Sequence, residues 1–195
     1  MIPYWPQPVW VFGSLKIHAF GLVEALALIA GYALVVARTR KAGLDERRVA
    51  WLFIAMLIVG LAVGWAVGGT LEQPAESAAG VIGGVIVVAL AAWLRFGSSV
   101  LPLLDVMASA TPVTAAIARF GCFLAHDHRG GLSTGLFSVR FPEGARNDIG
   151  LFECVLALML AGPIWWYWRS RPAPGMVTLL MFTCVIAMRI ASAFQ

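Results

Sequence analysis

Apolar residues run through this chain in blocks of about twenty, broken by short polar or charged segments, instead of alternating with polar positions. Six blocks stand out, at roughly 17–37, 50–71, 78–94, 100–124, 151–168 and 176–193. A helix rises 1.5 Å per residue, so about 20 residues cross about 30 Å of hydrocarbon, and each block predicts a transmembrane helix. The expected fold is an all-α integral membrane bundle of about six helices, a single domain over 1–195 with a small loop or cap at 126–150.

Within the blocks, Gly60, Gly64 and Gly68 recur every four residues and Gly80, Gly83 and Gly84 cluster in the next helix, a pattern that lets backbones approach closely. The 126–150 segment carries glycines, Pro142 and one alternating run, Phe137–Phe141, which predicts a short strand. Met1 to Ser14 holds Tyr4, Trp5 and Trp10 among three prolines. It lacks the basic flank and long apolar core of a signal peptide and reads as an interfacial anchor.

Composition agrees with a lipid solvent: 61% of residues are hydrophobic and 12% charged, with a mean hydropathy of +0.86. A net charge of +4 confined to loops excludes a nucleic-acid partner. Cys122, Cys154 and Cys184 show no CxxC spacing, so they indicate neither a disulfide framework nor a zinc site, and no cofactor is expected; metal binding by His126, Asp127 and His128 is left open by the sequence. The charges instead set topology. The first connection carries Arg38, Arg40, Lys41, Arg47 and Arg48, whereas Glu72–Ser77 has two acids and no base, which assigns the first connection to the cytoplasm. Alternation then brings Arg95, Arg169 and Arg171 inside, against Lys16, Arg129, Arg140 and Arg146 outside, and sets both termini and the 126–150 loop outside the cytoplasm.

Ionisable residues inside the spans are Glu24, Asp105, Arg119, Glu153 and Arg189, with His18 near the outer end of the first helix, and in a membrane such groups are functional candidates. Arg119, Glu153 and Arg189 lie at similar depth near the outer side. Two guanidinium forks suit an anionic phosphodiester, the alternative being a structural Arg–Glu clamp. Asp105, fourteen residues before Arg119, belongs toward the cytoplasmic half, and for it and Glu24 a polar contact between helices is expected. His126-Asp127-His128 follows the fourth helix and offers a general base, or simply a solvated turn. No Gly-rich phosphate loop, HExxH or GxSxG occurs.

The chain resembles, in order along nearly its whole length, the bacterial prolipoprotein diacylglyceryl transferases. Leu104-Asp105, then Ala118-Arg119-Phe120-Gly121-Cys122-Phe123-Leu124 and Gly130, resemble the family's LD step and GRxGxFxNG signature. Ile17-His18-Ala19-Phe20-Gly21-Leu22 resembles IRWYGL, Gly60–Trp65 resembles GARLGY, Asp148–Glu153 resembles HPSQLYE, and Met188-Arg189-Ile190 the RF pair of the last conserved helix.

The resemblance implies transfer of diacylglyceryl from phosphatidylglycerol to the lipobox cysteine thiol of a prelipoprotein in the bacterial inner membrane, with release of glycerol 1-phosphate. Phospholipid and a prelipoprotein signal peptide would be the partners. Arg119 and Arg189 would hold the phosphate, and Phe20, Gly21, Gly80, Gly121, Gly130 and Glu153 would line the substrates; the family's HGG histidine is absent, and the loop residues His126, Asp127 and His128 would supply the missing base. The sequence departs from the family at Ala78-Ala79-Gly80 for HGG, Phe20 for tyrosine, Ala62 for arginine, Cys122 for asparagine and Asn147 for histidine. A further cytoplasm-directed helix is expected after Gln195, so the chain reads as a shortened member. Two alternatives are a non-catalytic relative that binds an anionic lipid or serves in a membrane complex, and an unrelated scaffold or transporter, although two similar halves are lacking.

Overall fold

Gly43 ends the first helix, α1 (Ala19–Ala42), in the left-handed region at φ +67°. Its N–H reaches the Arg40 carbonyl and the Leu44 N–H reaches that of Thr39, both at 3.1 Å, so a cap free of Cβ strain closes the helix. Two residues later the Asp45 carboxylate accepts the Arg47 N–H at 2.9 Å and starts α2 (Glu46–Val67). The helix thus runs past residue 37 into the basic connection. Arg40 and Lys41 are good helix formers, and the Thr39 hydroxyl bonds back to the Val35 carbonyl at 2.7 Å.

The computed structural model describes residues 1–67, 73–192 and 194, with the side chains of 64, 67, 73–82 and 84 outside that description. The readings made for Gly64, Gly68, Gly80 and the acidic break Glu72–Ser77 therefore lie outside the described residues or side chains. Helix α3 (Gln73–Phe96) packs along α2, and Gly97, at φ +59°, breaks it into a 3₁₀ turn (Gly97–Val100) that leads into α4 (Leu101–Ala125).

Helix α4 is the centre of the bundle. Helices α1, α5 (Ile149–Arg169) and α6 (Met176–Ser192) all pack on it. It has buried residues along its length, from Leu103 to Phe123. Small residues make this possible: a Cβ on Gly31 of α1 would stand 2.6 Å from the Thr114 hydroxyl oxygen, and one on Gly121 of α4 would stand 3.3 Å from Val23. Asp105 of α4 completes the start of α6, accepting the N–H of Gly175 (2.7 Å), the N–H of Thr178 (2.8 Å) and the Thr178 hydroxyl (2.7 Å). It caps another helix's unsatisfied donors, an interhelical polar contact of the kind its position predicts.

Among the described residues, Ala19–Ala42, Val85–Ala125 and Ile149–Arg169 are long and apolar enough to cross a membrane, and Met176–Ser192 is a shorter apolar helix. Large apolar side chains such as Trp65, Leu94, Ile29 and Met159 point outward from the bundle, as a lipid solvent requires. Basic residues gather at one end: Lys41, Arg169 and Arg171 line one cavity with Trp165 and Trp168, and Arg48 lies over the Phe96 ring.

The opposite end carries sheet, which corrects the all-α expectation. Strands β2 (Val9–Phe12) and β3 (Leu15–His18) form a hairpin ahead of α1, so this helix begins at Ala19 and not at 17. Its Val9, Trp10, Val11, Phe12 and Leu15 are exposed. A second sheet of order β1-β5-β6-β4 joins β1 (Ile2–Pro3) to β4 (Arg129–Leu132), β5 (Ser138–Phe141) and β6 (Gly144–Asp148). The strand expected at 137–141 is β5, and it pairs on both sides, parallel to β1 and antiparallel to β6. Phe123, Val139 and Phe141 bury beneath this sheet with Ile2, Trp5 and Leu151, which ties the cap to the ends of α4 and α5.

That seam rests on Gly150, where a Cβ would stand 2.8 Å from the Phe123 backbone nitrogen and 3.0 Å from the Cys122 carbonyl carbon. Replacing it, Gly150→Ala, is expected to cost about 1–3 kcal/mol and to lower the thermal midpoint in detergent by about 2–12 °C. Gly162→Ala, in open space on the same helix, is expected to hold the wild-type midpoint. Equal midpoints for the two variants would refute the close contact.

Candidate active site

Three helices deliver one charge cluster. Arg119 comes from the last two turns of α4, Glu153 from the first turns of α5 and Arg189 from the end of α6. The Glu153 carboxylate is fully buried between the two arginines. Arg189 Nη1 donates to its Oε1 at 3.0 Å, and Arg119 Nε stands 2.7 Å from its Oε2. The second contact is an ion pair whose N–H does not align as a hydrogen bond, so Oε2 accepts none among the described residues.

The two guanidiniums keep 16% and 25% of their side-chain surface exposed, whereas Glu153 has none. With two cations on one carboxylate, the cluster carries a net positive charge. Each guanidinium has five N–H donors, more than a single carboxylate can take up, so donors remain for an external anion. Glu24 of α1 is half-buried and lies within electrostatic range of Arg119 and Asp127.

Arg119 also donates from Nη1 to the Cys122 sulfur, 3.7 Å away and one turn further along α4. Helix α4 then ends at His126, whose φ of +51° is left-handed and turns the chain across the helix end. Asp127 and His128 follow, with Asp127 Oδ1 2.6 Å from His128 Nδ1. Cys122, Asp127 and His128 each place one heteroatom within 4.8 Å of the other two. The Asp127 carboxylate, and after it the Cys122 sulfur, hold the His128 imidazole up to about 9, against a smaller opposing effect of burial.

His126 turns to different partners from its neighbours. It is 3% exposed, its Nδ1 lies 2.8 Å from Asp148 Oδ2, and the rings of Tyr4, Trp5, Phe123 and Phe141 surround it at 5.0–5.5 Å. Asp148 in turn caps α5 by accepting the Leu151 N–H at 3.0 Å. Burial pushes the Asp148 carboxyl up from its ordinary value, and the His126 hydrogen bond opposes this.

The structure therefore brings Arg119, Glu153 and Arg189 together and sets Asp127 and His128 beside Cys122, while His126 joins Asp148 inside the cap. Phe20 and Gly121 lie in the α1–α4 seam, Gly21 faces open space, and Gly130 is in β4, where its carbonyl accepts from Arg146 at 3.3 Å. Sequence reasoning missed Asp148 as the partner of His126, and Tyr4 and Trp5 as parts of its shell. It also missed Cys122, for which the spacing Cys-x₄-Asp-His across a helix end was the available signal.

Removing Glu153 leaves two half-buried cations facing each other. Glu153→Ala is expected to destabilise the protein by about 3–5 kcal/mol, and Glu153→Gln, which keeps one acceptor oxygen, by clearly less. Thermal unfolding in detergent ranks them; a wild-type midpoint for Glu153→Ala would mean that the arginines are held by other groups.

Comparison with known proteins meets this geometry from another side. No curated protein matches the chain. The family model for prolipoprotein diacylglyceryl transferase matches residues 7–194, which takes in the hairpin, α1 to α6 and the cap strands β4 to β6. That family comprises membrane transferases of lipoprotein biosynthesis, and the apolar helices agree with a place in the bacterial inner membrane. This chain belongs to the prolipoprotein diacylglyceryl transferase family.

Proposed function

We propose that this chain moves the diacylglyceryl group of phosphatidylglycerol onto the thiol of a lipobox cysteine in a prelipoprotein. The observation that carries the proposal is the Arg119–Glu153–Arg189 cluster: two partly exposed guanidiniums, preorganised by one buried carboxylate and facing an otherwise apolar bundle. Arg119 and Arg189 take the lipid phosphate, and Glu153 fixes their orientation before substrate arrives. The thiol sulfur bonds to the glyceryl carbon that carries the phosphate oxygen, and that C–O bond breaks. The thiol proton passes to the neutral fraction of His128, which grows as pH rises toward about 9, and glycerol 1-phosphate leaves as an anion whose growing charge the arginines neutralise. His126, enclosed by aromatic rings, is a positioning residue for the turn that presents Asp127 and His128.

In this reading all six helices cross the membrane, the basic end faces the cytoplasm, and both termini and the cap lie on the outer side. The supporting observation is the gathering of Lys41, Arg169 and Arg171 at the end away from the sheet. Phe20, Gly21, Gly80, Gly121 and Gly130 then border the lipid and peptide path.

Purified protein supplied with headgroup-labelled phosphatidylglycerol and a lipobox peptide is expected to release glycerol 1-phosphate and form a thioether. Arg119→Gln is expected to lower this rate by about 100-fold or more, whereas Arg47→Gln, exposed at the basic end, retains it. Phosphatidylglycerol binding without turnover would favour a non-catalytic lipid-binding relative, which the replacement of family residues at Ala78, Phe20 and Asn147 makes the second reading. Full turnover by Arg119→Gln would overturn the site.

A further inference from the structure

Cys122, Asp127 and His128 offer a thiolate, a carboxylate and an imidazole from one helix end, with their ligand atoms mutually within 4.8 Å. This is a donor set for a zinc-class divalent ion, and three protein ligands leave the fourth tetrahedral position open. The left-handed turn at His126 produces the arrangement, because it carries Asp127 and His128 back beside a residue one helical turn earlier. Bonds of about 2.0–2.3 Å to zinc place tetrahedral ligands about 3.3–3.8 Å apart. The wider separations therefore close by at most about 1.5 Å and the 2.6 Å Asp127–His128 contact opens by about 0.7 Å, both within reach of the exposed Asp127 side chain. Zn²⁺ with one thiolate and one carboxylate is neutral, so the nearby Arg119 meets no net cation. Its N–H to the Cys122 sulfur is the kind of outer contact that orients and tunes a ligating thiolate.

We propose that Cys122, Asp127 and His128 bind a zinc-class divalent ion whose open position receives the acceptor thiol. The Cys122 sulfur stands beside Arg119, one of the two residues assigned to the lipid phosphate, so the metal faces the reacting carbon from the acceptor side. The acceptor binds as a thiolate and its proton passes to water, since a coordinated thiol is deprotonated outright. Its sulfur then bonds to the glyceryl carbon as the C–O bond to phosphate breaks. The thioether formed is neutral and a weaker ligand than a thiolate, so product leaves, and the metal keeps its oxidation state throughout. With the ion bound, Asp127 and His128 serve as its ligands, and the metal replaces the proton-accepting role that the metal-free reading gives them. The role of the open position rests on the proposed transferase reaction; the metal site itself does not.

The test uses full-length protein in detergent, freed of metal by a chelator and titrated with Co²⁺. One equivalent is expected to bind with a sulfur-to-cobalt charge-transfer band and tetrahedral visible bands, and Zn²⁺ is expected to displace it. Cys122→Ser should abolish the charge-transfer band, His128→Ala should weaken Co²⁺ binding about 10-fold or more, and Cys184→Ser, on α6, should leave the spectrum unchanged. Asp127→Ala, at an exposed position, provides the same affinity readout should Cys122→Ser fail to fold. A folded wild-type protein without the charge-transfer band, or a band that survives Cys122→Ser, overturns the proposal. Full-rate glycerol 1-phosphate release by protein that binds no Co²⁺ overturns the metal site and leaves the reaction standing. Co²⁺ bound through Cys122 without any release upholds the metal site and overturns the reaction.

Discussion

The buried carboxylate of Glu153 holds this molecule's functional end together. Burying an isolated charge in a low-dielectric bundle costs several kcal/mol, and a carboxylate tolerates it only when cations meet both of its oxygens. Arg119 and Arg189 do so from two other helices, which sets the relative placement of α4, α5 and α6 at this level of the bundle. The same pairing leaves an excess of positive charge and unused N–H donors. One constraint thus fixes the helices and leaves a surface suited to an anion, so a structural clamp and a phosphate site are compatible readings.

Asp105 makes the contrast. It too is an acid among apolar residues of α4, yet its oxygens accept the N–H groups at the start of α6 and a threonine hydroxyl. A carboxylate that meets a helix N-terminus is used up in capping, whereas one that meets two guanidiniums organises a charged surface. Nothing in the local sequence around Asp105 or Glu153 distinguishes the two, because the partner comes from about 70 residues away in one case and from 36 in the other.

Much of the helical frame was legible because lipid imposes long apolar blocks with a physical length. The ends were not, because helices continue past the hydrocarbon when the following residues favour them, as Arg38–Ala42 do, and stop earlier when strand pairing intervenes, as at Leu15–His18. The convergence of Arg119, Glu153 and Arg189 followed from depth counting alone. The cap did not: β1 is two residues long and joins β5 across more than 130 residues, and no periodicity marks such a pairing. For the same reason the partnership of His126 with Asp148 was hidden, and two histidines on either side of Asp127 that look equivalent in sequence face different surroundings.

That divergence between His126 and His128 comes from a single backbone torsion. At φ +51°, His126 reverses the chain at the end of α4, so its own ring enters the aromatic shell while the next two residues swing toward Cys122. The His126–Asp148 hydrogen bond locks the turn, and Asp148 simultaneously caps α5, the helix that carries Glu153. The cap is therefore mechanically continuous with the arginine cluster: a change in the turn displaces Asp127 and His128, and through Asp148 it also disturbs the start of the helix on which the buried carboxylate depends. The arginine cluster and the Cys122–Asp127–His128 group share this hinge of hydrogen bonds, so their alignment is a property of the fold and not of either group alone.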